Sequence, residues 1–316
     1  MGRSLVSFVA MAALASAIAC SAKDKSQDTS ANKTAAPGAP GAAAGGAQPA
    51  AGAAAGTTDT SGMVTVHAKD FSFDAPDRIP GGTTAFRLVN DGPGLHHLQI
   101  IRIDSGKTIT DLTNAMKKPG PLPVWAVLVG GPNAPDPHSE SNATLDLAPG
   151  NYALMCLVDM PGGVPHFTKG MVRPLLVTQR KIPAKPMPTA DILVTLRDYQ
   201  FEVNGRLAPG RHTFSVRTEG PQAHELELIK LAPGKTAKDF GEWMQKMQGP
   251  PPGSAMGGVA AESPNATDYF TADLTPGDYV LICFVPDAKD GKPHFQHGMM
   301  QTITVPGSAA ATGPKA

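Results

Sequence analysis

From residue 64 onward the chain restates itself at a spacing near 128 residues, so whatever one copy folds into, the other must fold into as well. Asp70, Phe71 and Phe73 return as Asp198, Tyr199 and Phe201; Phe86 returns as Phe214, and Lys107-Thr108 as Lys235-Thr236. Asp111 returns as Asp239, and Leu147, Pro149, Gly150 and Tyr152 as Leu274, Pro276, Gly277 and Tyr279. Such a run reads as a tandem duplication. It bounds two domains, residues 63–180 and 190–306, with a proline-rich linker at 181–189 and a short disordered tail at 307–316.

What precedes the repeats has a different character. Arg3 and an apolar run from Leu5 to Ala19 are too short to span a bilayer and end in small residues before Cys20. Residues 1–20 therefore resemble the signal peptide of a bacterial lipoprotein, with Cys20 as the acylated residue and a lipid anchor to a membrane. An ordinary secretory signal is the alternative. Residues 21–62 are a polar start followed by Ala/Gly/Pro low complexity, which buries too little surface to fold and reads as a disordered tether.

Within each copy the pattern is mainly β. Val64 to Ala68, Thr83 to Val89, His97 to Ile103, Asn142 to Leu147, Tyr152 to Cys156 and Met171 to Val177 each read as a strand, separated by Pro/Gly turns. Copies of this size with short strands predict an all-β protein of two tandem Greek-key β-sandwich domains. One helical insertion interrupts each copy. Thr108 and Asp111, like Thr236 and Asp239, have capping-box spacing, and Leu112 with Met116, or Phe240 with Trp243, Met244 and Met247, supply an apolar face. Behind each helix comes a Pro/Gly-rich stretch long enough to cover one end of a sandwich.

Four residue types then recur in order and in register. His96, Cys156, His166 and Met171 pair with His224, Cys283, His294 and Met299, at offsets of 128, 127, 128 and 128. A thiolate with two imidazoles and a weak thioether suits both oxidation states of copper, so little need move when one electron is exchanged. Register selects His96 over His97, because His97 aligns with Glu225. Taken singly, each residue has a plainer reading: a buried cysteine, a loop histidine packed on the core, a core methionine, or an inter-domain disulfide between Cys156 and Cys283.

Here the chain resembles the cupredoxin family, in which a Gly-x-Tyr-x-x-x-Cys strand leads to a His-x-x-x-x-Met loop and a histidine precedes an upstream strand. Gly150, Tyr152, Cys156, His166 and Met171 fit that motif, as do Gly277, Tyr279, Cys283, His294 and Met299. The resemblance implies a cupredoxin-like sandwich in each copy and one type 1-like copper per domain. It departs from the family in the loop between cysteine and second histidine, which holds nine residues in the first copy and ten in the second. A short loop supplies backbone N–H groups to the sulfur, and this sequence leaves that supply open.

The family's copper enzymes need more histidines than this chain offers. No His-x-His occurs, and the neighbours of the two cysteines are Met155, Leu157, Ile282 and Phe284. His138 and His297 read as solvent-facing. With formal net charge zero and no basic stretch, nucleic acid is excluded as a partner. The expectation is therefore a non-enzymatic, exported protein of the cell envelope, passing single electrons to a redox protein partner. A copper buffering or delivery module and a metal-free interaction module stay open beside it.

Overall fold

The structure, a computed structural model, describes residues 62–307 apart from 118, 119, 161, 181, 182 and 247. The signal peptide, Cys20, the tether up to residue 61, Met247 and the tail from residue 308 lie outside the described residues. No helix among the described residues is long and apolar enough to cross a membrane.

The N-terminal repeat runs β1 (Met63–Lys69), β2 (Ser72–Asp74), β3 (Arg78–Pro80), β4 (Gly82–Asn90), β5 (Gln99–Ile103), α1 (Ile109–Met116), β6 (Ala126–Leu128), β7 (Glu140–Leu147) and β8 (Gly150–Met155). A small hairpin, β9 (Asp159–Met160) with β10 (Val164–Pro165), and a 3₁₀ turn (His166–Lys169) precede β11 (Val172–Thr178). The C-terminal repeat follows as β12 (Ile192–Arg197), β13 (Gln200–Gly205), β14 (Gly210–Thr218), β15 (His224–Leu231), α2 (Ala237–Lys246), β16 (Gly253–Glu262), β17 (Thr267–Leu274) and β18 (Gly277–Ile282). A second 3₁₀ turn (His294–His297) leads to β19 (Met300–Val305).

Alternation along these strands buries one face of each. Val64, Val66, Phe86, Leu88, Leu145, Leu154 and Val177 fill the first sandwich; Val194, Phe214, Val216, Phe270, Leu281 and Val305 fill the second, with Phe214 stacked on Phe270 at 4.5 Å. Full burial of such a side chain contributes about 1.5–3 kcal/mol, so these rows dominate stability. Both capping boxes form: Thr108 Oγ1 accepts the Asp111 N–H at 3.1 Å and Thr236 Oγ1 that of Asp239 at 3.2 Å. Leu112 and Phe240 then close the outer face of each second layer against Ile101 and Ile229. The Pro/Gly stretch after α2 turns back to that helix and to β15: Trp243 donates to the Gly249 carbonyl and Ala232 to that of Pro252.

The two sandwiches are not separate bodies. One layer is a single eight-stranded sheet in the order β13-β12-β14-β17-β7-β4-β1-β2, joined where Tyr269 of β17 faces Thr144 of β7. The second layer is continuous as well. Residues 129–136 accept from Ile100 and Leu98 on one side, and on the other exchange bonds with β16: Gly130 N to Ala261 O, Ala260 N to Gly131 O, Asn133 N to Gly258 O. This segment thus bridges the sheet β3-β11-β8-β5-β6 and the sheet β16-β15-β18-β19.

Candidate metal centres

Each site stands where two strands of the second layer end. Tyr152 donates its hydroxyl to the Ala148 carbonyl at 2.7 Å and Tyr279 to that of Thr275 at 2.9 Å, pinning the turns that start β8 and β18. Those strands deliver Cys156 and Cys283, both fully buried and both free thiols, which removes the disulfide reading. The upstream histidines sit beside them, and the 3₁₀ turns open on His166 and His294.

The long cysteine–histidine loop folds in a way the sequence did not reveal. The His166 N–H donates to the Val158 carbonyl at 2.9 Å, and the Phe167 N–H to that of Cys156 at 3.0 Å. The extra residues are extruded beyond that base as the β9–β10 hairpin. In the C-terminal copy His294 closes on Val285 at 2.9 Å, with Pro286 facing Pro293 above it. The histidine therefore returns to the cysteine as it would from a short loop. The backbone donors are present too: the thiol of Cys156 accepts from the N–H groups of His97 and Val158, and that of Cys283 from those of Glu225 (3.4 Å) and Val285.

The donors converge. His96 Nδ1 and His166 Nδ1 lie 3.1 Å apart, with Cys156 Sγ 3.5 Å from His166 Nδ1. In the second copy His224 Nδ1 and His294 Nδ1 are 3.0 Å apart, and Cys283 Sγ is 3.5 Å from His294 Nδ1. Within each trio the ligand atoms all fall within 4.8 Å of one another. Met171 and Met299 are fully buried in the same cores as the cysteines, and their carbonyls accept the Cys156 and Cys283 N–H groups at 3.1 and 3.2 Å.

Asp70 and Asp198, which in the sequence stand only as markers of the repeat, hold the first imidazoles. Asp70 Oδ1 lies 3.0 Å from His96 Nε2, and Asp198 Oδ1 lies 2.8 Å from His224 Nε2. Burial lowers the pKa of both histidines, so each is neutral at pH 7, donates Nε2–H to its carboxylate and turns a bare Nδ1 lone pair inward. Gly92 and Gly220 make room for this. A Cβ there would lie 2.5 Å from His96 Nε2 and 2.7 Å from His224 Nε2 respectively.

Burial pushes the Cys156 thiol up to about 12 and raises Cys283 as well, so both keep their protons in the metal-free chain. His294, pushed down to about 4 by burial and by His224, is neutral. Its Nε2 is buried without a hydrogen-bond partner and stands 4.0 Å from Asp287 Oδ2. With a proton on Nδ1, a bare Nε2 would face the carboxylate. With it on Nε2, two Nδ1 lone pairs would face each other at 3.0 Å. A cation between the Nδ1 atoms resolves both problems at once. The spacings suit donors about 2.0–2.3 Å from a common ion. His/Cys/His is a soft donor set that fits copper.

His97 and Glu225, the residues after the upstream histidines, do not join the trios. They accept instead the N–H following each cysteine, that of Leu157 and that of Phe284, both at 2.8 Å. His138 is exposed. His297 packs on the Tyr199 ring at 5.0 Å and meets Asp290 at 3.2 Å. Asp287, Asp290 and His297 also gather closely, but the Asp287 oxygens already accept from Tyr199, Gln222 and the N–H groups of Lys289 and Asp290.

No protein-family profile matches the chain, and no curated protein matches it. Among solved structures, it is similar to auracyanin A, a "blue" copper protein of Chloroflexus aurantiacus, at 22% identity over 37% of this chain and 100% of that one, with a TM-score of 0.27. Reduced auracyanin of Roseiflexus castenholzii is similar at 18% identity over 36% of this chain and 94% of that one, TM-score 0.27. The copper nitrite reductase of Nitrosomonas europaea is similar at 13% identity over 80% of this chain and 96% of that one, TM-score 0.23.

Proposed function

We propose that this is a tandemly duplicated cupredoxin-like protein that carries single electrons through one type 1-like copper centre in each repeat. The observation that carries this reading is the convergence, twice, of two neutral imidazole Nδ1 atoms and a thiol, with a carboxylate behind the first imidazole of each pair. His96, Cys156 and His166, and likewise His224, Cys283 and His294, would hold the metal, with Met171 and Met299 as weak axial donors. The bound ion supplies a one-electron couple.

The chain's own residues do the rest. Asp70 and Asp198 keep a proton on the outer nitrogen, so the inner one stays free. The N–H groups of His97, Val158, Glu225 and Val285 stabilise negative charge on sulfur. The packed strand ends hold the donors still, which keeps the reorganisation accompanying electron exchange small. The protein is proposed to work in the cell envelope, lipid-anchored through Cys20, with another redox protein as its partner.

Adding Cu(II) to residues 62–307 should bind about two equivalents and give an intense thiolate-to-copper absorption. Each equivalent should release about one proton at pH 7, because the thiols start protonated. Cys156→Ser and Cys283→Ser should each remove half the absorption, and the double variant all of it. Binding without that absorption or a reversible couple would make the protein a copper buffer. No stoichiometric binding would sink both metal readings and leave a metal-free module.

A further inference from the structure

The two centres differ at the outer edge of the second imidazole. Beside His294, Tyr199 and Gln222 both donate to Asp287 Oδ2, the latter at 2.9 Å, while Asp287 Oδ1 accepts the Lys289 N–H at 2.8 Å. Asp287 is thereby fixed, 3% exposed, with its Oδ2 toward the orphaned Nε2 of a fully buried His294. The matching residues of the N-terminal repeat are Phe71, Gly94 and Met160, and the acid nearest in that loop, Asp159, stands opposite Pro165 and is exposed. Phe71 sets its ring edge-on to His166 at 5.5 Å but has no hydroxyl, and Gly94 has no amide side chain, so neither can fasten an acid there.

Building on the copper reading, we propose that Asp287 is a positioning residue that takes the Nε2–H of His294 in the metal-bound chain, and that it makes the C-terminal centre the lower-potential one of the pair. A gap of 4.0 Å is too long for a hydrogen bond, and closing it needs a shift of about 1 Å. A carboxylate accepting from a ligand imidazole raises its basicity, and its charge favours the more positive oxidation state of the metal. Burial acts the other way. However, His166 is itself only 7% exposed, so the two centres differ little in dryness and the fixed charge decides. Asp159, in solvent, is screened.

The full chain supplies the test as two single-centre variants, Cys156→Ser leaving the C-terminal centre and Cys283→Ser the N-terminal one. Optical redox titration should show the C-terminal centre with a Cu(II)-over-Cu(I) preference about tenfold larger, a potential about 59 mV lower. Asp287→Asn in the Cys156→Ser chain should recover most of that difference, and Tyr199→Phe part of it with the acid untouched. Asp159→Asn in the Cys283→Ser chain should change the preference less than about twofold. In the Cu(I)-loaded wild-type protein, NMR should find the His294 Nε2–H exchanging with water at least about tenfold more slowly than that of His166, with the protection lost in Asp287→Asn. Equal potentials, or no response to Asp287→Asn in either measurement, would overturn this proposal and leave copper binding standing. Failure of both single-centre chains to bind copper would overturn the two together.

Discussion

The two sides of the seam between the repeats share a backbone and differ in their side chains. The N-terminal side buries His97, Gln99, Asn133 and Ser141; the C-terminal side buries Glu225, Glu227, Glu262 and Asp268. Amides, an imidazole and a hydroxyl thus meet four carboxyl groups. Asn133 Nδ2 reaches Glu225 Oε2 at 3.4 Å, and the Ala134 N–H donates to Glu227 Oε2 at 3.1 Å. The glycines, by contrast, correspond. A Cβ on Gly131 would lie 2.1 Å from the Leu98 carbonyl, and one on Gly258 would lie 2.1 Å from the Leu226 carbonyl, both at positive φ. Close backbone approach imposes the same demand on both copies. Side chains at a shared seam meet different partners, so they are free to diverge.

The backbone half of this comparison should give the largest effects. Gly131→Ala and Gly258→Ala each force a Cβ into a carbonyl at a strained φ, and each should cost on the order of 4 kcal/mol or more by chemical denaturation. Gly94→Ala, where a Cβ meets open space, should change stability by less than about 0.5 kcal/mol. A large cost on one side of the seam alone would break the correspondence.

The side-chain half predicts opposite pH limbs. Burial raises Glu262 to about 8 and raises Asp268 well above the usual carboxylate range, with Glu262 adding to the latter; these acids stay protonated when folded and ionise near pH 4–4.5 when unfolded. Their contribution is whole below that range and is lost as pH rises toward 8, at about 1.4 kcal/mol per pH unit per proton. His97, lowered to about 4 by burial, behaves inversely: the unfolded chain takes up a proton below about 6.5, so stability is lost as pH falls toward 4. Glu262→Gln should flatten the alkaline limb, and His97→Gln should flatten the decline between about pH 4.5 and 6.5. Unfolding free energies measured across pH 4–9 check both.

Smaller still is the effect of single bridges. Asn133→Ala removes the buried Nδ2 donor from Glu225 Oε2 and from two carbonyls and should cost about 1–3 kcal/mol. Asn142→Ala, which removes the reciprocal bonds to Thr271 at 2.8 and 2.9 Å, should cost about 1 kcal/mol, because that site is half-exposed and water can substitute. Equal costs would mean that burial does not distinguish the two bridges.

Much of this was legible in the sequence for physical reasons. Strands such as β1 and β4 alternate cleanly because one face is buried, and both capping boxes announce their helices. The histidines and cysteines of each trio stand out because their types recur in order. The seam was not legible. Residues 129–136 carry two glycines and two prolines and read as loop, yet they pair on both sides with partners more than a hundred residues away on one of them. The β9–β10 hairpin was hidden because a loop's length says nothing of where it closes. Asp70 and Asp198 recurred in plain view, but as residues of a turn between two strands they gave no sign of reaching a histidine. Tyr199, Gln222 and Asp287 form their cluster in one copy only, so repetition could not flag them.

The continuous layers also decide what a single repeat would be. Cut from its neighbour, either copy would expose the rim of β7 or β17 in one layer and the free side of residues 129–136 or of β16 in the other. Unsatisfied strand rims of that kind are templates for pairing with any other chain. Inside the intact protein each rim is already taken by its sibling. The second copy therefore acts as a permanent internal partner, guarding its twin against self-association.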